Sequence, residues 1–284
     1  MRDEGVPPAG CATRPVWRVE GGRIAEDVDR LAEEVPVAMH VDGEPFAVMM
    51  ASPVDIEDFA RGFALTEGRV ASIGDIASID VREVLEGVLV DVRRASPAKP
   101  PATKSAERLM PGRSGCGMCG SRELEDVVRH PAPVAEGPVL DAAAVERALQ
   151  GLRERQPINA FTGSVHAAAW ARANGDIVLV REDVGRHNAL DKLIGAMSVE
   201  GIGTRDGFVV ITSRASYEMV TKAAVAGMAV VVAISAPTAL AVHLARECRV
   251  TLIGFARTGR FNVYSHPERL LDPESRTGSA PTLR

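Results

Sequence analysis

FVVITSRASYEMVTKAAVAGMAVVVAISAPTALAVHLARECRVTLIGFARTGR, residues 208–260, decides the fold class. Three short apolar runs punctuate it: Phe208 to Thr212, Ala229 to Ile234 and Val250 to Phe255. Between them, Tyr217 to Ala226 and Thr238 to Glu247 carry apolar residues at helical spacing. Runs that are apolar at every position are buried on both faces, and a helix between two of them returns the chain to the same end of a sheet. The pattern calls for parallel strands in an α/β layer. Val209, Val230 and Thr251 lie 21 residues apart, the length of a strand, a helix and two turns.

Upstream of this stretch, Val145, Ala148, Leu149 and Leu152 mark the buried stripe of a helix that opens near Asp141. Phe161 to Ala171 and Ile177 to Arg181 read as strands joined at Asn174-Gly175, a strong hairpin signal. Leu190, Leu193, Ile194 and Met197 give a further helix. These elements make up a larger α/β domain over residues 121–271. Nearer the N-terminus, Val37 to Val41 and Pro45 to Met50 flank the turn Asp42-Gly43-Glu44. Ile56, Phe59, Ala60 and Phe63 recur at helical spacing, with Gly68 as the stop. Ile76 to Val81 and Val88 to Val92 add two strands, so residues 14–94 read as a small α+β domain. Between the two domains, residues 95–120 hold four prolines and read as a mobile loop that ends in a cysteine pair. Residues 1–13 and 272–284 have the composition of frayed tails.

The chain has 284 residues, 33 Lys+Arg against 38 Asp+Glu, a formal charge of −5 and 46% hydrophobic residues. That is enough apolar material for a core without disulfide staples. The acidic balance argues against a general nucleic-acid binder, which needs a phosphate-neutralising basic surface. The most apolar segment, Met228 to Ala245, is interrupted by Ser235, Pro237, Thr238 and His243 and is a poor membrane span. No secretion signal opens the sequence, so the expected location is the cytoplasm, with no membrane partner.

Each of the three strands runs into polar or special residues. The first runs into Thr212-Ser213-Arg214-Ala215-Ser216, the second into Ser235-Ala236-Pro237-Thr238, the third into Ala256-Arg257-Thr258-Gly259-Arg260. Ligands of open α/β sheets collect at the carboxyl ends of strands, and helix N-termini there favour anions. Hydroxyls, arginines and a glycine converging from three strand ends suit a phosphate cradle. Taken singly, Ser216 and Thr238 read as ordinary helix N-caps. No Walker loop is present. Gly115-Cys116-Gly117-Met118-Cys119-Gly120 matches the letters of a dinucleotide fingerprint, but it follows a Pro-rich loop and not a buried strand.

The four cysteines are Cys11, Cys116, Cys119 and Cys248. Cys116 and Cys119 form a Cys-x-x-Cys pair flanked by glycines, which leave room for a partner to approach the sulfur. Arg113, Arg122 and a helix beginning after Cys119 would favour the reactive thiolate, while Glu123, Glu125 and Asp126 would oppose it. The pair fits a thiol that exchanges sulfur with another molecule. It also fits an inert exposed pair, half of a zinc site, or a redox motif, although the βαβ context of the last is missing. A zinc deaminase would place its H-x-E before the pair, whereas His266-Pro267-Glu268 comes after it.

GCGMCG (115–120), FTGSVHAAA (161–169), REDVGRHNALDKLIG (181–195), TSRASYEMVTKAA (212–224), ISAPTALAVHLA (234–245) and TLIGFARTGRFNVYS (251–265) together resemble the FdhD family, the formate dehydrogenase accessory sulfurtransferases, over roughly residues 30–270. The resemblance implies a sulfur carrier that takes persulfide sulfur from a cysteine desulfurase. It would pass the sulfur to the molybdenum cofactor, bis(molybdopterin guanine dinucleotide), for formate dehydrogenase. It implies a cytidine-deaminase-like fold for the larger domain and a homodimer. By motif position it makes Cys116 the persulfide cysteine, with Cys119 as partner, and Phe255, Ala256, Arg257, Thr258, Gly259 and Arg260 the cofactor-binding hexapeptide, with guanine nucleotides as mimics. A cofactor-holding chaperone without sulfur chemistry, or a zinc or redox protein, are the rival classes. Within REDVGRHNALDK, His187 is a candidate catalytic residue, or else a capping or packing one, Asp183 and Asp191 read as helix-start and solvent-facing charges, and Trp17 and Trp170 read as packing residues.

Overall fold

The computed structural model describes residues 7–96 and 131–270. They form a mixed α/β protein of two compact units, and the chain passes between them more than once. The first unit holds the described residues up to Ser96 with Arg155–Ala167 and Arg181–Ala196; the second holds the described residues of Arg129–Glu154, Ala168–Val180 and Met197–Arg284. The linear division at residues 95–120, read from the sequence, therefore differs from the spatial one. Between the two tails, composition changes sharply only at that segment, whereas packing assigns each turn and helix by what it buries.

In the first unit, β3 (Val35–Val41) and β4 (Glu44–Ala51) form the hairpin expected at Asp42-Gly43. Both turn residues have positive φ, 53° and 85°, as a type I′ turn requires. With β5 (Ile76–Val84) and β6 (Gly87–Arg94) they make a four-stranded sheet in the order β4-β3-β6-β5, β3 and β6 running parallel. Helix α1 (Ile56–Thr66) belongs to the core of this unit through Phe59, Ala60, Phe63 and Ala64, among Val37, Met39, Val90 and Val92. Gly68, in the left-handed region, follows the helix.

The first unit also contains a ribbon that the sequence reading places partly in a frayed tail. Strands β1 (Cys11–Glu20) and β2 (Arg23–Ala32) pair antiparallel over ten residues each. The register sets Val19 opposite Ile24 and Pro15 opposite Val28, so Trp17, Val19, Ile24 and Val28 share one face. Trp17 is 69% exposed and so is not the packing residue expected, because a two-stranded ribbon provides no second layer to bury it. The short helix α3 (Pro157–Thr162) packs beside the ribbon, with the Arg30 guanidinium 4.5 Å from the centre of the Phe161 ring. Phe161 thus opens no strand. Pro157 stands at the helix start, and the Ile158 and Asn159 amides donate to the Glu182 carboxylate at 2.9 and 2.8 Å, satisfying two amides of the first turn.

The second unit is built on a six-stranded sheet, β12-β11-β10-β9-β7-β8, comprising β7 (His166–Arg172), β8 (Ile177–Asp183), β9 (Gly207–Ile211), β10 (Val230–Ala233), β11 (Thr251–Arg257) and β12 (Arg260–Ser265). β9, β10 and β11 are parallel, as their apolar runs require, while β12 and β7 pair antiparallel at either side of them. Helices α2 (Ala142–Arg153), α5 (Tyr217–Val225) and α6 (Ala239–Glu247) belong to this unit. Asp141 caps α2 by accepting the Ala143 amide, and Val145, Ala148, Leu149 and Leu152 are buried as their spacing predicts. Trp170 is 2% exposed; an added Cβ on Gly207 would collide with its ring, so that glycine makes room for the indole. Among the described residues no helix is long and apolar enough to cross a membrane.

Candidate functional site

The carboxyl ends of β9, β10 and β11 are tied together by backbone hydrogen bonds. Ala215 N–H donates to the Ala236 carbonyl at 3.2 Å, and Thr238 N–H donates to Ala215 at 3.0 Å, giving a parallel bridge between Ala215 and Pro237. Phe255 N–H donates to the Ser235 carbonyl at 3.1 Å. The segments 213–216, 235–238 and 255–260, far apart in sequence, therefore meet as one surface.

Local sequence explains the shape of the third segment. The register between β11 and β12 shifts between Gly254 and Arg257, a bulge that puts Phe255 at φ 52° and leaves it 45% exposed, while Ala256 turns inward and is buried. A phenylalanine held in the left-handed region costs conformational energy, and such outliers gather at functional sites. Gly254 cannot carry a side chain, because a Cβ would lie 2.7 Å from the Pro237 ring. Arg257 Nη1 donates to the Ala256 carbonyl at 2.9 Å and also to the Ile234 carbonyl, anchoring one arginine of the hairpin to the end of β10. Gly259 has φ 77°, where the third residue of a type II turn requires it, and an added Cβ would meet nothing within 4 Å. Its amide donates to Glu146 Oε1 at 2.9 Å. Glu146 lies on α2, 113 residues away, and no motif in the sequence singles it out.

The two expected caps behave differently. Thr238 accepts the Ala241 amide at 3.2 Å and caps α6. Ser216 occupies the N-cap position of α5 but makes no side-chain cap bond, and its buried Oγ has no hydrogen-bond partner among the described residues. Ser213 is buried, with its hydroxyl donating to the Arg214 carbonyl at 3.0 Å. The surface thus offers one unsatisfied hydroxyl, an exposed aromatic ring and two arginines beside an open backbone turn. These groups suit a ligand that carries a ring system and phosphates.

The REDVGRHNALDK segment does different work. It lies in the first unit, at the end of β8 and in α4 (Arg186–Val199). Asp183 and Asp191 are both fully buried, contrary to the solvent-facing role expected of them. Asp183 accepts the Ser52 amide at 3.0 Å and the Gly185 amide at 2.7 Å, and pairs with Lys192 at 2.7 Å. Asn188 Nδ2 donates to Asp183 at 2.9 Å and to the Met50 carbonyl at 2.8 Å. Asp191 accepts the Thr66 hydroxyl at 2.7 Å. These charges clamp the β8–α4 turn to the end of β4 and to α1, because a buried charge is tolerated where a counter-charge and hydrogen bonds surround it. His187 is 2% exposed and belongs to this packed region.

The other reactive candidates are engaged or inert. The His266 ring lies 2.9 Å from Glu268 and 3.0 Å from the Arg246 carbonyl, so the H-x-E pair is occupied with itself and the backbone. Among the described residues no three His, Cys, Asp or Glu side chains gather as a metal site. Cys11 and Cys248 are free thiols, and burial pushes both up from the ordinary thiol pKa, keeping them protonated. Cys116 and Cys119, and the segment expected to carry them, lie outside the described residues.

Known proteins share both the sequence and the fold. The FdhD/NarQ family matches residues 32–271. A protein of Xanthomonas euvesicatoria pv. vesicatoria (strain 85-10) is 52% identical over 261 residues, 92% of each chain, and one of Bordetella bronchiseptica (strain ATCC BAA-588 / NCTC 13252 / RB50) is 48% identical over 265 residues, 93% of this chain and 95% of that one. Both are named sulfur carrier protein FdhD. In fold, the chain is similar to the crystal structure of a proposed formate dehydrogenase accessory protein from Desulfotalea psychrophila, with a TM-score of 0.72 at 24% identity over 92% of this chain and 99% of that one. The chain belongs to the FdhD/NarQ family.

Proposed function

We propose that this protein is a sulfur carrier serving formate dehydrogenase. In this reading Cys116 receives sulfur from a cysteine desulfurase. The Cys116 thiolate attacks the terminal sulfur of the donor's persulfide, a new S–S bond forms, and the donor leaves as its own thiolate. No oxidant is consumed. Delivery follows when the Cys119 thiolate attacks Cys116 Sγ, forming a Cys116–Cys119 disulfide and expelling the terminal sulfur as hydrosulfide. The recipient is the molybdenum cofactor, bis(molybdopterin guanine dinucleotide), bound as substrate.

The observation that carries this reading is the meeting of three strand ends around the hairpin 255–260. Phe255 offers a ring face for stacking a guanine, and Arg257 and Arg260 offer forks matched to phosphate oxygens. The names borne by the relatives support sulfur carriage, and the glycine-flanked Cys-x-x-Cys supports a persulfide. The cytoplasm is the compartment where a reduced pair of this kind persists. A homodimer suits a cofactor with two guanine dinucleotide arms, one for each copy of the hairpin.

Intact mass after incubation with a cysteine desulfurase and cysteine tests the chemistry. A gain of one or more sulfur atoms is expected. A chain that gains none yet binds guanosine diphosphate would instead be a cofactor-holding chaperone.

A further inference from the structure

The Gly259 amide sits on a left-handed glycine with open space above it, and it donates to a carboxylate, Glu146 Oε1, at 2.9 Å. An exposed turn amide is satisfied by water and needs no side-chain acceptor. Here one is supplied from α2, by a residue one position beyond Val145 of the buried stripe and only half-buried itself. Glu146 adds nothing to the helix stripe, and it places a negative charge on the backbone donor between two arginines of the hairpin. Backbone amides on left-handed residues are the donors that phosphate nests use, and a carboxylate oxygen resembles a phosphate oxygen in charge and hydrogen-bonding capacity.

We propose that Glu146 is a placeholder for a phosphate oxygen: it holds the Gly259 amide and the hairpin in a binding-ready shape while the site is empty, and yields that amide when a diphosphate-bearing ligand arrives. The inference rests on the reading of 255–260 as a phosphate-binding hairpin, and it adds that Glu146 sets the strength of that binding. Displacement of a like charge makes binding weaker than the arginines alone would give. A carrier benefits from this, because it must release its cargo.

Titration calorimetry on the full chain tests it, with guanosine diphosphate, guanosine and inorganic pyrophosphate as probes against wild type, Glu146→Gln and Glu146→Ala. Glutamine keeps the shape and an acceptor oxygen but removes the charge. Glu146→Gln is expected to bind guanosine diphosphate and pyrophosphate about fivefold more tightly, the scale of removing one adjacent like charge in water, and Glu146→Ala to gain less than Glu146→Gln because it also releases the held hairpin. Guanosine, which has no phosphate, binds all three forms equally. Weaker binding by Glu146→Ala with wild-type affinity in Glu146→Gln would make Glu146 a strut of the hairpin and overturn the placeholder. Equal pyrophosphate affinity in all three forms, or none in any, overturns it too. If guanosine diphosphate fails to bind while pyrophosphate still prefers the variants, the guanine reading falls and the placeholder stands.

Discussion

Lys192 Nζ lies 2.7 Å from the Asp183 carboxylate, and neither side chain is exposed at all. The ammonium also donates to the Ser52 carbonyl at 3.0 Å, and Asp183 accepts the Ser52 amide, so the pair closes on both backbone polar groups of one residue just past β4. A buried pair is not strongly stabilising as a whole, but removing one partner strands the other charge. Lys192→Met should therefore destabilise the protein by about 3–5 kcal/mol in denaturant unfolding. A loss below about 1 kcal/mol, the range of an exposed pair, would mean that the pair is solvated in solution.

The crossing of α1 and α4 depends on two glycines that face each other's helix. An added Cβ on Gly62 would collide with the backbone carbonyl of Asp191, and one on Gly195 with that of Asp58. Alanine would gain about 1 kcal/mol of helix propensity at either site. Overpacking against an immovable carbonyl costs roughly 1–3 kcal/mol or more, so each Gly→Ala variant should be net destabilised in thermal unfolding. Wild-type stability for either variant would show that the helices sit farther apart.

Burial, and then the nearby Arg186 guanidinium, lower the His166 pKa below its ordinary value of 6.5. The native state thus favours the neutral ring, while the unfolded chain takes up a proton below that ordinary value. The stability contributed by neutral His166 is present above pH 6.5 and is lost as the pH falls through the native pKa. His166→Gln should flatten the acid side of the stability profile below pH 6.5. Parallel profiles for the two proteins would count against the assignment.

Arg257 and Arg260 should both contribute to guanosine diphosphate binding, at about 1.5–3 kcal/mol for each charge-assisted hydrogen bond that a substitution removes. Arg257→Ala also removes the anchor to the Ile234 and Ala256 carbonyls, so its effect should be the larger of the two. Calorimetric affinities indistinguishable from wild type in both variants would move the phosphate site towards Ser213 and Arg214.

Cys116→Ala should abolish sulfur loading by a desulfurase without changing thermal stability. Full loading at Cys119, together with undiminished activation of formate dehydrogenase, would transfer the carrier role to the second cysteine.

Local sequence is enough to specify the parallel strands β9, β10 and β11, the stripe of α2, the hairpins at Asp42-Gly43 and Asn174-Gly175, and the three polar strand ends. Each is written in periodicity or turn chemistry, where a residue's neighbours in sequence are its neighbours in space. The burial of Asp183 and Asp191 is different, because it depends on Lys192, Ser52 and Thr66 arriving from other elements. Trp17 stays exposed because no layer covers its face of the ribbon among the described residues, which its own neighbours in sequence do not reveal. The reach of Glu146 to Gly259 across 113 residues belongs to the same class. A carboxylate on a helix reads the same whether it faces water or a turn amide; only the packing of α2 distinguishes the two.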